Sequence, residues 1–499
     1  MTKVWVWLCL FVNVSGFAQN FEIQKYGTRI TAIELKENLA ILASDAMEGR
    51  ETGKRGQKMA AAFIKAHFEE LGLKGPVNGD YYQVFDLYTT RPGESYVKVG
   101  EQRFNNFTDI TYYGNNDSGG EISLPLIFAG DGSEEALRQV DIKDKAIFLI
   151  TGMNFPTNES LRSLREKGAK MIFISHAESK ADFNIVSKQI KSFSGPRDLT
   201  LAKPADNSTL PGIFIVSPLM SEKFFGASRE QLSKIIADGY KKNSLKKIKQ
   251  VDIKYRTSSG VKPIKSENVL GFLEGSDKKG ELLIITAHYD HVGIKPNGEG
   301  DRIHNGADDD GSGTVAVMEL AKVFTQAKQD GKGPRRSILF MLVTAEEKGL
   351  LGSDYYTQNP VFPLDKTVVN LNIDMIGRRD PQHINSDPYV YIIGADKLST
   401  ELNEISEAAN KKYTNLIFDY TYNDVNHPER LYYRSDHWNF AKKNIPIIFY
   451  FDGIHEDYHK PSDEIEKIDF DLLTKRTQCI FYTAWEIANR DERIVSDKQ

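Results

Sequence analysis

Two histidines and an aspartate follow directly after an apolar run. His288, Asp290 and His291 lie in AHYDHVG, residues 287–293, after the segment LLIIT. Histidine is the commonest metal ligand in proteins, and a nearby carboxylate often orients the ligating imidazole. The alternative interpretation is a polar strand end without a chemical role. Residues elsewhere in the chain are needed to distinguish it from a metal site.

Further potential ligands lie after this run and after other apolar runs of the chain. The loop that follows the first predicted strand carries the aspartates of GADDDGSG. Glu346 and Glu347 follow ILFMLVTA, Asp374 follows VVNLNI, and His455 and His459 come after IPIIFYF. In an open α/β sheet, ligands gather beyond the carboxyl ends of the strands. This repeated placement favours a metal site over a set of unrelated polar loops.

The number of carboxylates at these strand ends indicates more than one cation. Burying several carboxylates without positive charge is very costly, and a site for two cations removes that cost. Histidine and carboxylate ligands without a thiolate suit zinc, with manganese or cobalt possible. Glu346 and Glu347 are adjacent, so their side chains point in different directions. One of them can bind metal while the other faces a bound water.

The elements that must position these residues read as alternating strands and helices. From residue 265 onwards, near-continuous apolar strands alternate with helices, ending in a helix over 468–490. This pattern predicts an α/β fold with a mostly parallel sheet flanked by helices. Residues 31–73 read as two helices around a loop at 44–56. Between about 90 and 260, AIFLI (146–150) and GIFIV (212–216) read as strands of a smaller α/β module without ligand clusters.

Composition and the N-terminus limit the classes of function. The chain has 499 residues, 27% of them charged, and a net charge of −5, which gives no indication of nucleic-acid binding. Lys3, the apolar stretch VWVWLCLFV and the small residues of GFA predict a signal peptide cleaved after Ala18. This stretch is too short to span a membrane. We therefore expect a secreted or periplasmic protein without stable membrane insertion.

The motifs together resemble a known family. AHYDHVG, NGADDDGSG, TAEEKGLLGS, NIDMIG, RSDHWNFAKKNIP and DYHKPSDE occur in this order over about 280–465. They resemble the secreted co-catalytic zinc aminopeptidases, namely the bacterial leucyl aminopeptidase-like and aminopeptidase Y-like enzymes, and in particular members that carry an inserted protease-associated domain. The segment GRETG…AAAFI extends the likeness towards the N-terminus, and DIKDKAIFLI matches the inserted domain more loosely.

This resemblance implies a zinc exopeptidase fold and a division of the chain. Residues 1–18 would be the signal peptide, 19–90 the N-terminal part of the peptidase domain, 91–260 the inserted protease-associated-like domain, and 261–499 the main part of the peptidase domain.

The resemblance also implies roles for individual residues. Two zinc ions would be held by five metal ligands: His288, Asp309, Glu347, Asp374 and His459, with Asp309 as the bridge. Glu346 would be the general base that takes a proton from the attacking water, and Asp290 would orient the ring of His288. Tyr458 matches a tyrosine that can hydrogen-bond the developing oxyanion, and Arg434 matches a substrate-binding position. The Asp309–Asp310 peptide bond would be cis.

Four histidines lie outside this ligand set. They are His291, His304, His437 and His455, which we interpret as supporting, pocket-lining or structural residues because the set is complete without them.

The expected activity is removal of N-terminal residues from peptide substrates. Three alternatives share the scaffold: glutamate carboxypeptidase-like exopeptidases, glutaminyl cyclase-like acyltransferases with one zinc, and transferrin-receptor-like binding modules that have lost ligands. The complete ligand set counts against the last of these. The sequence does not determine the preferred N-terminal residue or the oligomeric state.

Overall fold

The computed structural model describes residues 23–114, 116–152, 155–193, 199–203, 212–297 and 299–498. The predicted signal peptide lies outside these residues. The chain divides into two compact units, with boundaries between Asp86 and Leu87 and between Ile264 and Lys265. We call residues 87–264 the inserted unit and the remainder the larger unit.

The bounds of the strands and helices are as follows. The strands are β1 (Tyr82–Pro92), β2 (Tyr96–Val99), β3 (Gln102–Asn105), β4 (Ile110–Tyr113), β5 (Ile122–Phe128), β6 (Ala146–Ile150), β7 (Met171–Ser175), β8 (Ile213–Val216), β9 (Val251–Arg256), β10 (Ser259–Leu273), β11 (Lys278–His288), β12 (Gly293–Ile294), β13 (Ile303–His304), β14 (Arg336–Val343), β15 (Thr367–Ile373), β16 (Tyr389–Ile393), β17 (Ile417–Asp419) and β18 (Ile447–Phe451). The α-helices are α1 (Ala32–Leu42), α2 (Arg55–Glu70), α3 (Glu134–Leu137), α4 (Asn158–Glu166), α5 (Lys180–Phe193), α6 (Met220–Phe225), α7 (Arg229–Ala237), α8 (Gly313–Gln329), α9 (Leu351–Gln358), α10 (Thr400–Tyr413), α11 (His437–Ala441) and α12 (Phe470–Asn489).

A sheet with the strand order β1-β10-β14-β11-β15-β18-β16-β17 forms the centre of the larger unit. Its four middle strands, β14, β11, β15 and β18, run parallel to one another. On either side, β10 is antiparallel to β14 and β16 is antiparallel to β18. The predicted α/β class and mostly parallel sheet are confirmed, and the parallel part is the part that carries the predicted ligands.

Helices cover both faces of this sheet because its strands are apolar on both faces. In β11, Leu283 and Ile285 belong to one buried cluster, together with residues of α1, α2, α8 and α12. The alternate residues Leu282 and Ile284 belong to another, together with residues of α9 and α11. A continuous apolar run is what a strand buried on both faces requires.

The helix starts follow local side-chain chemistry. Thr31 accepts a hydrogen bond from the backbone N–H of Glu34 at the start of α1, and Asp469 does the same for Leu472 at the start of α12. Such caps satisfy backbone donors that the first turn leaves free. The predicted closing helix over 468–490 is observed as Phe470–Asn489. The expected loop at 44–56 contains a short helical segment, Asp45–Arg50.

The inserted unit has its own sheet, in the order β3-β2-β9-β5-β6-β7-β8-β4. Strands β5 to β8 are parallel, and the remaining pairs are antiparallel. The predicted strands AIFLI and GIFIV are β6 and β8. Apolar clusters lie on both faces of this sheet. In the part of the chain that the structure describes, no helix is long and apolar enough to cross a membrane.

Candidate metal centre

The parallel strands bring the predicted ligands to one edge of the sheet. His288 is the last residue of β11, whose parallel neighbours are β14 and β15. Glu346 and Glu347 follow β14, and Asp374 follows β15. The carboxyl ends of parallel strands meet at the same edge, so these side chains converge there.

The carboxylate of Asp309 lies between two groups of ligand atoms. Its Oδ1 is 3.2 Å from Nε2 of His288, which is in turn 3.5 Å from Oδ1 of Asp374. Its Oδ2 is 3.1 Å from Nε2 of His459. One carboxylate thus presents a separate oxygen to each group, which is the arrangement of a bridging ligand.

The second group contains a residue beyond the five expected ligands. Nε2 of His459 is 3.1 Å from Oε2 of Glu347. On the other side of the same carboxylate, Nδ1 of His291 is 2.8 Å from Oε1 of Glu347 and 3.8 Å from Oδ2 of Asp309. His291, Asp309 and Glu347 form one potential metal-binding group, and His288, Glu346 and Asp374 form the other.

The polar atoms of the site are better arranged to bind a cation than to hydrogen-bond to one another. The buried atoms without a hydrogen-bond partner include Nδ1 and Nε2 of His291, Oδ2 of Asp309 and Oε1 of Glu347. Buried polar atoms are almost always hydrogen-bonded, so such a cluster of exceptions calls for an ion or ligand. Imidazole nitrogens and carboxylate oxygens without thiolate match the donors that zinc accepts. The residues present therefore fit a site for divalent cations.

The electrostatics of the centre favour positive charge. Burial acts to lower the pKa of His459, but Asp309 and Glu347 outweigh it and raise this pKa to about 10. Burial acts to raise the pKa of Asp309, but the neighbouring histidines hold it well below its usual value. Burial raises the pKa of Glu346 well above its usual range, with further contributions from nearby carboxylates.

A network of hydrogen bonds fixes the loop that carries Asp309. The carboxylate of Asp463 accepts the backbone N–H groups of Asp308, at 3.0 Å, and of Asp309, at 3.1 Å. The carboxylate of Asp310 accepts the N–H groups of His288 and Met375, both at 3.1 Å. The Asp309–Asp310 peptide bond is cis, as expected.

Asp290 acts on the site in a different way from the one expected. Nδ1 of His288 lies 3.1 Å from the backbone carbonyl oxygen of Asp290, whereas the carboxylate is 3.9 Å away. The carboxylate instead accepts hydrogen bonds from Oγ1 of Thr52, at 2.6 Å, and from the N–H of Glu346, at 3.2 Å. The ring of His288 is thus oriented by the main chain of Asp290, and the side chain supports the segment of Glu346.

Tyr458 and Arg434 line a cavity next to the first group of ligands. The cavity also contacts His288, Asp309, Glu346 and Asp374, and its apolar wall consists of Met375, Leu431, Phe449, Phe451 and Ile454. The ring of Tyr458 stacks on His459, with 3.9 Å between the ring centroids. The guanidinium of Arg434 is half exposed and lies 3.3 Å from a carboxylate oxygen of Glu429.

The other three histidines outside the ligand set make different contacts. Nε2 of His455 is 3.1 Å from Oδ2 of Asp308, so it supports the loop of Asp309. The ring of His437 is fully buried and lies 2.8 Å from the carbonyl oxygen of Tyr432. The ring of His304 is 6.4 Å from that of His291.

Arg50 belongs to the site through contacts that its sequence position does not indicate. Its buried guanidinium donates to the carbonyl oxygens of Asn305 and Gly306, just before Asp309. Arg50 lies in GRETG, a segment of the family likeness, which is the one signal that could have led to it.

Comparisons with known proteins show which families this chain resembles. Residues 268–484 match the model of peptidase family M28. Aminopeptidase YwaD of Bacillus subtilis is 27% identical over 236 residues, which cover 46% of this chain and 46% of that protein. A probable leucine aminopeptidase of Arthroderma benhamiae is 28% identical over 221 residues, which cover 42% of this chain and 55% of that protein. The chain spans about half the length of these curated relatives.

A solved structure shows the fold over almost the whole chain. The aminopeptidase from Aneurinibacillus sp. strain AM-1 aligns with 96% of this chain and 98% of its own, with a TM-score of 0.50 and 18% sequence identity. This likeness concerns the fold. The match to peptidase family M28 covers residues 268–484 of the chain.

Proposed function

We propose that this chain is a secreted or periplasmic dinuclear zinc aminopeptidase of the M28 family, which hydrolyses N-terminal residues from peptides. The observation that carries the proposal is the position of Asp309. Its two oxygens face two different sets of buried imidazole and carboxylate atoms, at 3.1–3.2 Å from the nearest nitrogen of each set. A carboxylate in that position can bind two cations at once, one through each oxygen.

His288, Asp309 and Asp374 would hold one zinc ion, and Asp309, Glu347 and His459 the other. Manganese or cobalt could take the same ligands. Zinc, when bound, acts as a Lewis acid and provides a water nucleophile of lowered pKa.

Glu346 is placed to act as the general base. Its Oε2 is 4.0 Å from Nε2 of His288, and its own N–H is held by the carboxylate of Asp290. Glu346 therefore reaches the space next to the ligands while its backbone is fixed. It would take a proton from the attacking water and then pass it to the leaving amine.

Tyr458 and Arg434 would act on the substrate. Tyr458 lines the same cavity as Glu346 and Asp374, so its hydroxyl can donate a hydrogen bond to the oxyanion that forms at the scissile carbonyl. Arg434 lines the same cavity and can contact the peptide. The apolar wall opposite them would receive the side chain of the residue that is removed.

Action at the N-terminus rather than the C-terminus rests on two points. Two of the curated relatives are named as aminopeptidases. The cavity also lies at an acidic centre, and acidic groups near the metal ions would hold a free substrate amine.

The flanking parts of the chain would serve this activity without adding chemistry. We assign residues 91–260 as a protease-associated-like domain, supported by a compact unit at residues 87–264. We assign residues 1–18 as a signal peptide, supported by Lys3, the apolar stretch and the small residues before the cleavage point.

The test is a cleavage profile of the zinc-loaded mature protein with a peptide library. Each peptide is supplied in two forms, with a free and with an acetylated N-terminus. The proposal expects stepwise removal of N-terminal residues from the free peptides and none from the acetylated ones. Release of C-terminal residues, or cyclisation of N-terminal glutamine without hydrolysis, would overturn it in favour of the alternative enzyme classes.

A further inference from the structure

We propose that His291 is a sixth protein ligand of the metal centre and binds the second metal ion through Nδ1. This inference rests on the proposed dinuclear site and adds a residue to its ligand set. It concerns the second group of atoms, formed by Asp309, Glu347 and His459, and it gives a role to the second histidine of AHYDHVG.

The distances around Nδ1 of His291 are those between ligands of one ion. Zinc binds nitrogen and oxygen at about 2.0–2.2 Å, so two ligand atoms of a tetrahedral site lie about 3.4 Å apart. Nδ1 is 2.8 Å from an oxygen of Glu347 and 3.8 Å from Oδ2 of Asp309. The recognised ligand His459 has comparable distances of 3.1 Å to each of these carboxylates. His291 and His459 thus hold equivalent positions around the same two side chains.

The alternative is a simple hydrogen bond from Nδ1 of His291 to Oε1 of Glu347, which are 2.8 Å apart. Such a bond would still leave Oδ2 of Asp309, 3.8 Å from the same Nδ1, without a partner among the described residues. Nε2 of His291 also has no partner among them, and the residue is fully buried. Buried polar atoms without partners are costly, and an ion bound at Nδ1 would contact the carboxylates of Asp309 and Glu347 together.

The surrounding chain fixes this ring in place. The N–H of His291 donates to the carbonyl oxygen of Arg50 over 3.2 Å. A side chain at Gly306 would collide with the ring, since its Cβ would lie 2.6 Å from Cδ2 of His291. The backbone at Gly306 has φ of +55°, which also favours glycine. The glycine of NGADDD therefore leaves the space that the imidazole fills.

Aspartate and asparagine at position 291 give a sharp test. Their Oδ or Nδ atoms lie the same number of bonds from Cβ as Nδ1 of histidine, so both can reach the same point. Aspartate is a metal ligand, and its charge would repel Glu347 and Asp309 if no ion were bound. Asparagine can hydrogen-bond Glu347 but is a poor zinc ligand. A ligand role therefore predicts higher zinc affinity for His291→Asp than for His291→Asn, whereas a hydrogen-bonding role predicts the reverse.

The experiment measures zinc content and zinc affinity of full-length protein by competition with a chromophoric chelator. The variants are His291→Ala, His291→Asn and His291→Asp, with His427→Ala as the control. His427 packs against Tyr422, with 5.0 Å between the ring centroids, and its Nδ1 accepts the N–H of Glu429. The melting temperature of each metal-free form shows whether the variant folds.

If His291 is a ligand, wild type and His427→Ala bind two zinc ions with similar affinity. His291→Ala and His291→Asn should then lose affinity at one site by more than about 100-fold, beyond the usual cost of removing a residue that only supports a ligand. His291→Asp should recover most of that loss. Recovery by asparagine and not by aspartate, or unchanged affinity in all three variants, would overturn the inference while leaving the dinuclear proposal intact. A wild type that binds fewer than two zinc ions would instead contradict the dinuclear proposal itself.

Discussion

Nη2 of Arg50 donates a hydrogen bond of 2.9 Å to the carbonyl oxygen of Gly306, three residues before Asp309. The arginine is 1% exposed, so solvent does not compete for it. The same guanidinium also donates to the carbonyl oxygens of Leu42, Tyr289 and Asn305, at 2.6–2.8 Å. One side chain from the N-terminal part of the larger unit thereby holds the segment after β11 and the loop of Asp309 together.

Replacing Arg50 with methionine should destabilise the protein strongly. Methionine fills similar space but leaves four buried carbonyl groups without their donors, a loss that we place at about 3–5 kcal/mol. Thermal unfolding measures the effect, with Arg55→Met as the control. The side chain of Arg55 is 72% exposed and, among the residues that the structure describes, forms an ion pair only with Glu48, so its loss should change stability by less than about 1 kcal/mol. Equal melting temperatures for the two variants would contradict this role of Arg50.

The part of the site that the sequence could predict follows from parallel strands. His288 and Asp374 lie close together because β11 and β15 are parallel neighbours. In the sequence, such a strand end is indicated by an apolar run that stops at a potential ligand. The glutamate pair likewise follows an apolar run, whereas the aspartate loop is indicated only by its position after the predicted strand of His288. The family likeness implies their separate roles.

The rest of the site depends on contacts between distant segments. Arg50 binds carbonyl groups from three segments that are distant in the sequence. These contacts depend on how the segments pack together, and no local sequence pattern predicts them. Asp463 holds the loop of Asp309 from 154 residues away. His291 was interpreted as supporting because the family set was complete without it, and only the distances to Glu347 and Asp309 distinguish it from other histidines.

The hydroxyl of Thr52 should matter for turnover more than for metal binding. It donates a 2.6 Å hydrogen bond to Asp290, whose other carboxylate oxygen holds the N–H of Glu346. Thr52→Val keeps the shape but removes the donor, so we expect kcat to fall about tenfold with zinc content unchanged, as for other supporting contacts. Thr52→Ser keeps the hydroxyl and should retain most of the activity. If valine and serine behave alike, the hydrogen bond has no role in positioning Glu346.

Glu319 should make the stability of the protein depend on pH. Burial raises its pKa to about 7, despite the ammonium of Lys322 at 2.9 Å. The unfolded chain has the ordinary, lower pKa, so folding is penalised once the pH exceeds about 4.5, and the penalty is complete above about 7. Glu319→Gln resembles the neutral acid. The free energy of unfolding of this variant should match that of wild type near pH 4.5 and exceed it by about 2–3 kcal/mol at pH 8. Melting temperatures across this range test the sign, and a variant less stable than wild type at pH 8 would contradict it.

Removal of the metal should lower the melting temperature. The centre brings several carboxylates together with unpaired ligand atoms, so cations that bind only the folded state must stabilise it. A zinc concentration 100 times the dissociation constant contributes about 2.7 kcal/mol for one site. Calorimetry before and after treatment with a chelator measures this change, and zinc should restore the loss whereas magnesium should not. An unchanged melting temperature in fully stripped protein would argue against a built metal site.

The most direct test of the central claim compares the two adjacent glutamates. If Glu346 is the base, Glu346→Gln keeps the shape of the side chain but cannot take the proton. Zinc content should then stay near two, substrate should still bind, and kcat should fall by roughly 10²–10⁴. Glu347→Gln removes a charged ligand and should lower the zinc content at one site. If Glu346→Gln keeps the kcat of wild type with both zinc ions bound, activation of water by Glu346 is contradicted.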